Sequence, residues 1–330
     1  MPPVSNSARS NDALEARPAR SSELEAAIGV LLTGTENRAS QEQVQTFVTM
    51  AGQRGLNLDD LWVAAKAGRI DWAMLPVVSP GRTILLLSPP LLPNGVLDES
   101  IVAVVEGACG FHGNHGVELA QLLLDPAALS LRHAYIRQGF VELAELIYLQ
   151  RDVRKVPSTP PLPRSMEIEN YSARTHQLFQ QTIARSYEQS LDCPGLSGMR
   201  KMEDVMAGHK GTGEFDPSLW FLLMENYEPL GVLLLGPAVH ADALELVYLG
   251  LTPAARGRGL GDLLMNLALL SVVRQNRAEL TLAVDSRNVP AMRLYFRHGL
   301  RRIGSRTALV RQLGADAHRP LRSGGLTEAT

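Results

Sequence analysis

Apolar positions along the second half of the chain switch between two spacings, and the switch marks out its elements. Residues 220–224 and 230–235 are apolar runs separated by Asn226, Tyr227, Glu228 and Pro229, the pattern of a β-hairpin. Residues 244–251 form a further apolar strand. Leu260, Leu263, Leu264, Leu267 and Ala268 then recur at i, i+3, i+4, i+7 and i+8, which predicts a helix with one buried face. Residues 280–284 read as a strand. A helix over 290–298 follows, with Pro290 in its first turn and Gly299 just past its end. Residues 300–310 supply one or two last strands. Upstream, 166–168 reads as a short strand and 172–188 as a helix, and near the start Leu24, Ile28, Leu31 and Leu32 have helical spacing. Alternating strands and helices place the chain in the α/β class.

The pattern occurs twice, at an offset of 160 residues. Residues 121–140 lie over 281–300 without a gap, pairing Leu122 with Leu282, Asp125 with Asp285, Tyr135 with Tyr295, Arg137 with Arg297 and Gly139 with Gly299. In the same register Ile84, Leu86 and Pro93 lie over Leu244, Leu246 and Pro253. Residues 155–164 hold four prolines and read as a stiff linker between the copies. The expected organisation is a disordered arm at 1–21, a first copy at 22–154, the linker at 155–164, a second copy at 165–312 and a flexible tail at 313–330.

Composition narrows the partners. The 330 residues are 45% hydrophobic and 20% charged, and 32 Lys and Arg against 34 Asp and Glu leave a net charge of −2. That balance argues against nucleic acid or an anionic membrane as partner. Two cysteines, Cys109 and Cys193, make no disulfide framework, which points to a reducing, cytoplasmic compartment. The apolar runs at 84–92 and 230–239 are broken by proline or glycine and are too short to span a bilayer. The first twenty residues lack the apolar core of a signal peptide.

The chemistry concentrates in residues 249–262, LGLTPAARGRGLGD, where a strand passes through a turn into a helix. Arg256, Gly257, Arg258, Gly259, Leu260 and Gly261 bring main-chain N–H groups together at a helix start, an arrangement that favours anions. A Walker A loop is excluded because Asp262 and Leu263 follow Gly261. A dinucleotide fingerprint fails because counting from Gly257 and Gly259 puts Asp262 at the last glycine position. What remains is R-x-x-G-x-G on Arg256, Gly259 and Gly261.

This segment, followed by LAVDSRNVPAMRLYFRHGL, resembles the GNAT superfamily of acyl-CoA-dependent N-acyltransferases over residues 165–312. The resemblance implies two tandem domains, each a central mixed, mostly antiparallel sheet flanked by helices. It implies that the main chain of Leu249, Gly250 and Leu251 pairs with the pantetheine arm of acetyl-CoA, with an N–H near Leu251 polarising the thioester. The amides of Arg256 through Gly261 would hold the pyrophosphate. Asn288 matches the family's asparagine beside the CoA arm, Tyr295 its general acid, and Glu245 the position of a frequent base. A phenol suits protonation of a departing thiolate of similar basicity.

Several residues admit a second reading. Tyr295 also fits a core aromatic, since Tyr135 holds the same place in the other copy, and Glu245 also fits a solvated strand carboxylate. Tyr248 stands in reserve as base. Tyr187, Glu188 and Asp192 lie where the family builds its acceptor pocket, or in a surface turn. Cys193 lacks a partnering histidine and reads as structural. His112 and His115 read as a loop pair, with no third metal ligand. In the first copy the phosphate loop falls on residues 96–101, where no glycine remains and Asp98 and Glu99 stand in the way of phosphates. The expectation is an N-acetyltransferase taking acetyl-CoA and an amine acceptor, without a metal, with one working site in the second copy. A CoA-binding sensor without turnover is the rival.

Overall fold

The computed structural model describes residues 13–34, 39–92, 98–154, 162–196, 198–239 and 241–314. The first half of the chain runs through β1 (Glu15–Pro18), α1 (Leu24–Thr33), α2 (Gln41–Gln53), β2 (Trp62–Lys66), β3 (Arg69–Ser79), β4 (Thr83–Leu87), α3 (Asp98–Asn114), β5 (Leu119–Leu124), α4 (Leu129–Arg137) and β6 (Val141–Asp152). The second half repeats that order as β7 (Met166–Asn170), α5 (His176–Ser186), α6 (Met202–Lys210), β8 (Trp220–Glu225), β9 (Glu228–Pro237), β10 (Ala243–Leu251), α7 (Leu260–Arg274), β11 (Glu279–Asp285), α8 (Val289–Arg297) and β12 (Arg301–Gln312). A shift of 160 residues carries the bounds of α4 onto α8 and of β6 onto β12.

The local chemistry is duplicated as well. Asp125 accepts the N–H of Ala127 at 2.9 Å, as Asp285 accepts that of Arg287 at 2.9 Å. Gly139 and Gly299 close α4 and α8 with φ of 78° and 76°, a left-handed cap that glycine adopts without strain. In the hairpin between β8 and β9, Asn226 and Tyr227 both have positive φ, the two-residue turn whose twist suits paired strands.

Among the described residues, one unit gathers those up to 78, 83–142 and 309–314, and the other gathers 79–82 and 143–308. In the second unit the strands run β7, β8, β9, β10, β11, β6 and then the start of β12. From β7 to β6 neighbours are antiparallel except β10 and β11, which are parallel. In the first unit β1 to β5 follow one another, then the end of β12, with β4 and β5 parallel. The closing strand of the first half thus serves the second unit from Leu143 on, while β12 gives residues 301–308 to the second unit and 309–312 to the first. Ile147 and Leu149 of β6 lie in the core that α7 and α8 cover, and Leu309 and Leu313 lie in the core beneath α3 and α4. Helices cover both faces of the second unit's sheet, with α5 and α6 packed opposite α7 and α8.

Several expectations change. Residues 15–18, expected in a disordered arm, form β1 along β2, and Arg17 binds the Glu23 carboxylate at 2.7 and 2.9 Å. A strand of four residues takes its stability from its neighbour, so its own composition carried no sign of it. Residues 301–312 form one strand, where one or two were expected. His112 lies inside α3 rather than in a loop, and its ring faces Asp60 at 2.9 Å. Helix α6 had no counterpart in the sequence reading. Residues 1–12 of the arm, 155–161 of the linker and 315–330 of the tail lie outside the described residues.

Leu149 tests the contribution of β6 to the second unit. Leu149→Ala is expected to cost about 2–5 kcal/mol through the cavity it opens. A lowered denaturation midpoint, with the first unit's Leu122→Ala as comparison, checks it.

Candidate active site

The site begins where two parallel strands part. β10 and β11 pair only from Ala243 to Glu245 against Glu279 to Thr281. Directly beyond, Val247 is an extra residue between Leu246 and Tyr248 in the ladder with β9, a bulge that bends β10. β11 keeps its partner β6 through Asp285. A cleft of about 200 Å³ opens between them, with Leu246 to Leu251 on one wall and Ala283 and Val284 on the other. Thr252 N–H donates to Leu230 O on the β9 side. Antiparallel alternation then turns the N–H groups of Leu249 and Leu251 to the free edge, toward the cleft.

At the end of β10 the chain turns through Pro253–Ala255 into α7. Gly257 and Gly259 have φ of 73° and 76°, and a Cβ added at either meets nothing within 4 Å. Gly259 is the N-cap of α7, so the N–H groups of Leu260 and Gly261 lack intrahelical acceptors and the positive end of the helix faces that open space. Gly261 differs: a Cβ there would stand 3.1 Å from Leu294 Cδ2, so this glycine lets α7 approach α8. Leu260 is buried in the core. Asp262 fixes the same contact by accepting from Arg297 at 3.0 Å and from His298 at 2.9 Å.

The arginines are engaged elsewhere. Arg256 Nη2 donates to the carbonyls of Ser186 at 2.9 Å and Glu188 at 2.8 Å, Nη1 to Gln189 O at 3.4 Å and Nε to Leu251 O at 3.3 Å. Its own N–H goes to Pro253 O. Arg258 pairs with Glu225 at 2.8 Å. What is left facing that open space as a candidate anion cradle is therefore main chain, from Gly257 to Gly261.

Tyr295 lines the cleft while packing into the core, with 6% of its surface exposed. Burial, and then the charge of Asp192, hold its phenol well above the ordinary range, so it stays protonated. Tyr135 in the first unit is fully buried against Phe140, whereas Tyr295 reaches the cleft. Asn288 lines the cleft and caps α8 by accepting Ala291 N–H at 3.3 Å, and its side chain also hydrogen-bonds Asp192. Asp192 accepts Asp285 N–H at 3.1 Å, and burial raises its carboxyl.

Glu245 is half-buried and stands outside the cleft lining. Burial raises its carboxyl, and its charge acts on Tyr148 of β6. Burial, and then Asp192 and Asp285, push the Cys193 thiol up to about 12, which rules out a resident thiolate nucleophile.

The structure therefore brings Leu249, Gly250, Leu251, Arg256, Asn288 and Tyr295 to one cleft, places Gly257 to Gly261 just beyond it, and sets Glu245 apart. Gly250 is required by its neighbours, since a Cβ would come within 2.6 Å of Ser186 Oγ and of the Tyr248 ring. Asp285 escaped the sequence reading: fully buried, it binds Arg287 at 2.6 Å and Cys193 N–H at 3.1 Å. Its one signal was the repeated Asp125 and Asp285 pair.

Comparison with known proteins agrees with this geometry. A family model described as Acetyltransferase (GNAT) family matches residues 185–300. Mycothiol acetyltransferase of Mycobacterium ulcerans (strain Agy99) is 30% identical over 253 residues, which cover 66% of this chain and 75% of that protein. The chain belongs to the GNAT acetyltransferase family and is an N-acetyltransferase. Mycothiol acetyltransferase of Mycobacterium marinum is 30% identical over 179 residues, 48% of this chain and 53% of that relative. The fold is shared with a GCN5-related N-acetyltransferase from Sphaerobacter thermophilus, with TM-score 0.57, 16% identity, and coverage of 91% of this chain and 95% of that one. It is also shared with a tandem GNAT protein from the clavulanic acid biosynthesis pathway, with TM-score 0.51, 14% identity, and coverage of 91% and 98%.

One buried histidine makes a pH prediction. His209 of α6 stacks on Tyr248 with centroids 5.3 Å apart, and its Nε2 is buried without a hydrogen-bond partner. Burial, aided by the charge of Arg200, lowers its pKa to about 4 from an ordinary 6.5. Below 6.5 the unfolded chain binds the proton and the folded chain resists it, so the stability due to neutral His209 falls as pH drops from 6.5 toward 4. His209→Phe is expected to flatten that loss, measured by denaturation midpoints at pH 7 and pH 4.5.

Proposed function

We propose that the second unit transfers the acetyl group of acetyl-CoA to a primary amine by direct attack while both substrates are bound. The observation that carries this reading is the parted edge of β10 leading straight into the open cradle at Gly257 and Gly259, with Tyr295 in the same cleft. The pantetheine arm would lie along Leu249 to Leu251 as an added strand. The pyrophosphate would take the N–H groups of Gly257 to Gly261.

With the donor in that place, the Leu251 N–H polarises the thioester carbonyl. The amine nitrogen forms a bond to that carbon and the carbon–sulfur bond breaks. The nitrogen's proton passes through water to Glu245, which stands outside the cleft lining, and the departing thiolate takes the proton of Tyr295. Products are an amide and free CoA. A raised Glu245 carboxyl is a better base than an ordinary one, and a phenol held protonated is available as the acid. The curated relatives are named mycothiol acetyltransferases, so a mycothiol-related amine is the first acceptor to test.

Gly259→Val fills the cradle and strains a left-handed position, and acetyl-CoA binding by titration calorimetry is expected to be lost. Retained tight binding rejects the cradle.

Tyr295→Phe is expected to lower kcat about 100-fold or more with acetyl-CoA affinity unchanged. The base has a signature in pH: as pH falls through the raised pKa of Glu245 the carboxylate is lost and kcat/KM drops. That acid limb is expected above the ordinary glutamate range and to vanish in Glu245→Gln. A chain that binds acetyl-CoA yet acetylates none of a panel of amines is the non-catalytic rival.

A further inference from the structure

The arginine of the phosphate-loop motif turns its side chain away from the cradle. Four of the five N–H donors of a guanidinium are spent on main-chain carbonyls, and three of the accepting residues, Ser186, Glu188 and Gln189, lie at the end of α5 and just past it. Carbonyls left without partners at a helix C-terminus carry partial negative charge, so a cation there is favourable. Gln189 has φ of 53°, a conformation a non-glycine residue holds only when its surroundings impose it, and Arg256 grips its carbonyl.

The loop that begins at this grip forms one side of the cleft through Gln189, Ser190, Leu191 and Asp192. Its far end is held by a reciprocal pair of bonds. Asp285 N–H donates to Asp192 Oδ1 and Cys193 N–H donates to Asp285 Oδ2, both at 3.1 Å. Tyr248 adds a third tie at the near end, 2.7 Å from Ser186 Oγ. The segment 187–193 is thus fastened to the end of β10 at one end and to the end of β11 at the other, the same two strands that part to form the cleft.

We propose that Arg256 is a positioning residue for the acceptor side of the site, its guanidinium holding the 187–193 loop in shape rather than ligating the donor's pyrophosphate. The proposal rests on the reading of Gly257 to Gly261 as the donor cradle. Arg256 directly precedes that cradle and its side chain holds the loop that lines the cleft, so one residue couples the donor loop to the surface an amine meets.

The test compares Arg256→Gln and Arg256→Lys with the wild type, after denaturation midpoints confirm that each is folded. Arg256→Gln removes the charge, and Arg256→Lys keeps the charge but loses the planar fork. Both are expected to raise the acceptor KM about tenfold, the equivalent of about one lost charge-assisted bond, while kcat changes far less. Acetyl-CoA affinity, and its dependence on salt, should match the wild type in both. Amide hydrogen exchange in 187–193 of the ligand-free protein should quicken in both.

A weakened acetyl-CoA affinity with a shallower salt dependence in Arg256→Gln, restored in Arg256→Lys, would make the guanidinium a phosphate ligand and overturn the proposal. Unchanged exchange in the loop, or an unchanged acceptor KM, overturns it as well. The exchange measurement needs neither substrate. It therefore stands even if the wild type fails to bind acetyl-CoA, a result that would instead strike down the cradle itself.

Discussion

The parting of β10 from β11 past Glu245 is the constraint on which the second unit's site depends. Parallel strands normally remain paired, and an unpaired edge inside a sheet leaves main-chain groups without partners. Here the Val247 bulge bends β10 while β11 stays fixed to β6. The N–H groups of Leu249 and Leu251 are left facing a cleft instead of a strand. An extended ligand that supplies the missing partner completes the sheet, and the same edge delivers the chain to the N-terminus of α7.

Around that opening, charge is arranged with little to spare. The cradle offers N–H groups and a helix dipole, while both nearby arginines are committed, Arg256 to carbonyls past α5 and Arg258 to Glu225. Two carboxyls are raised by burial: Asp192 on the cleft, where its charge helps keep Tyr295 protonated, and Glu245 outside the lining. Asp285, fully buried, meets Arg287 and the Cys193 N–H. The polar groups of the site thereby hold the two strand ends and the loop between α5 and α6 together.

The duplicated chain shows how one pattern supports two roles. Both halves repeat the same ten elements in the same order, with the same aspartate turn and the same glycine cap on the last helix. Yet Tyr135 is sealed in its core where Tyr295 reaches a cleft, and residues 96–101 carry no glycine where the second half has three between 256 and 261. Shared packing maintains the fold in both halves. The glycine loop is a feature of the second.

Much of this was legible in the sequence because it is local. The periodicity of α7, the hairpin turn at Asn226, the capping glycines and the loop glycines act within a few residues of themselves, so their spacing carries their meaning. The register of the repeat was equally legible, as identical residues at a constant separation. What only the tertiary structure decided depends on distant partners. β1 exists because β2 pairs with it, and β6 and the end of β12 serve the opposite units because the cores that accept Leu149 and Leu309 lie there. The motif gave Arg256 only an amide for the phosphate; its N–H goes instead to Pro253 O and its side chain to Ser186 and Glu188, some seventy residues earlier in the chain. A side chain's type and spacing state what it is able to bind; which partner it meets is settled only when the chain has folded.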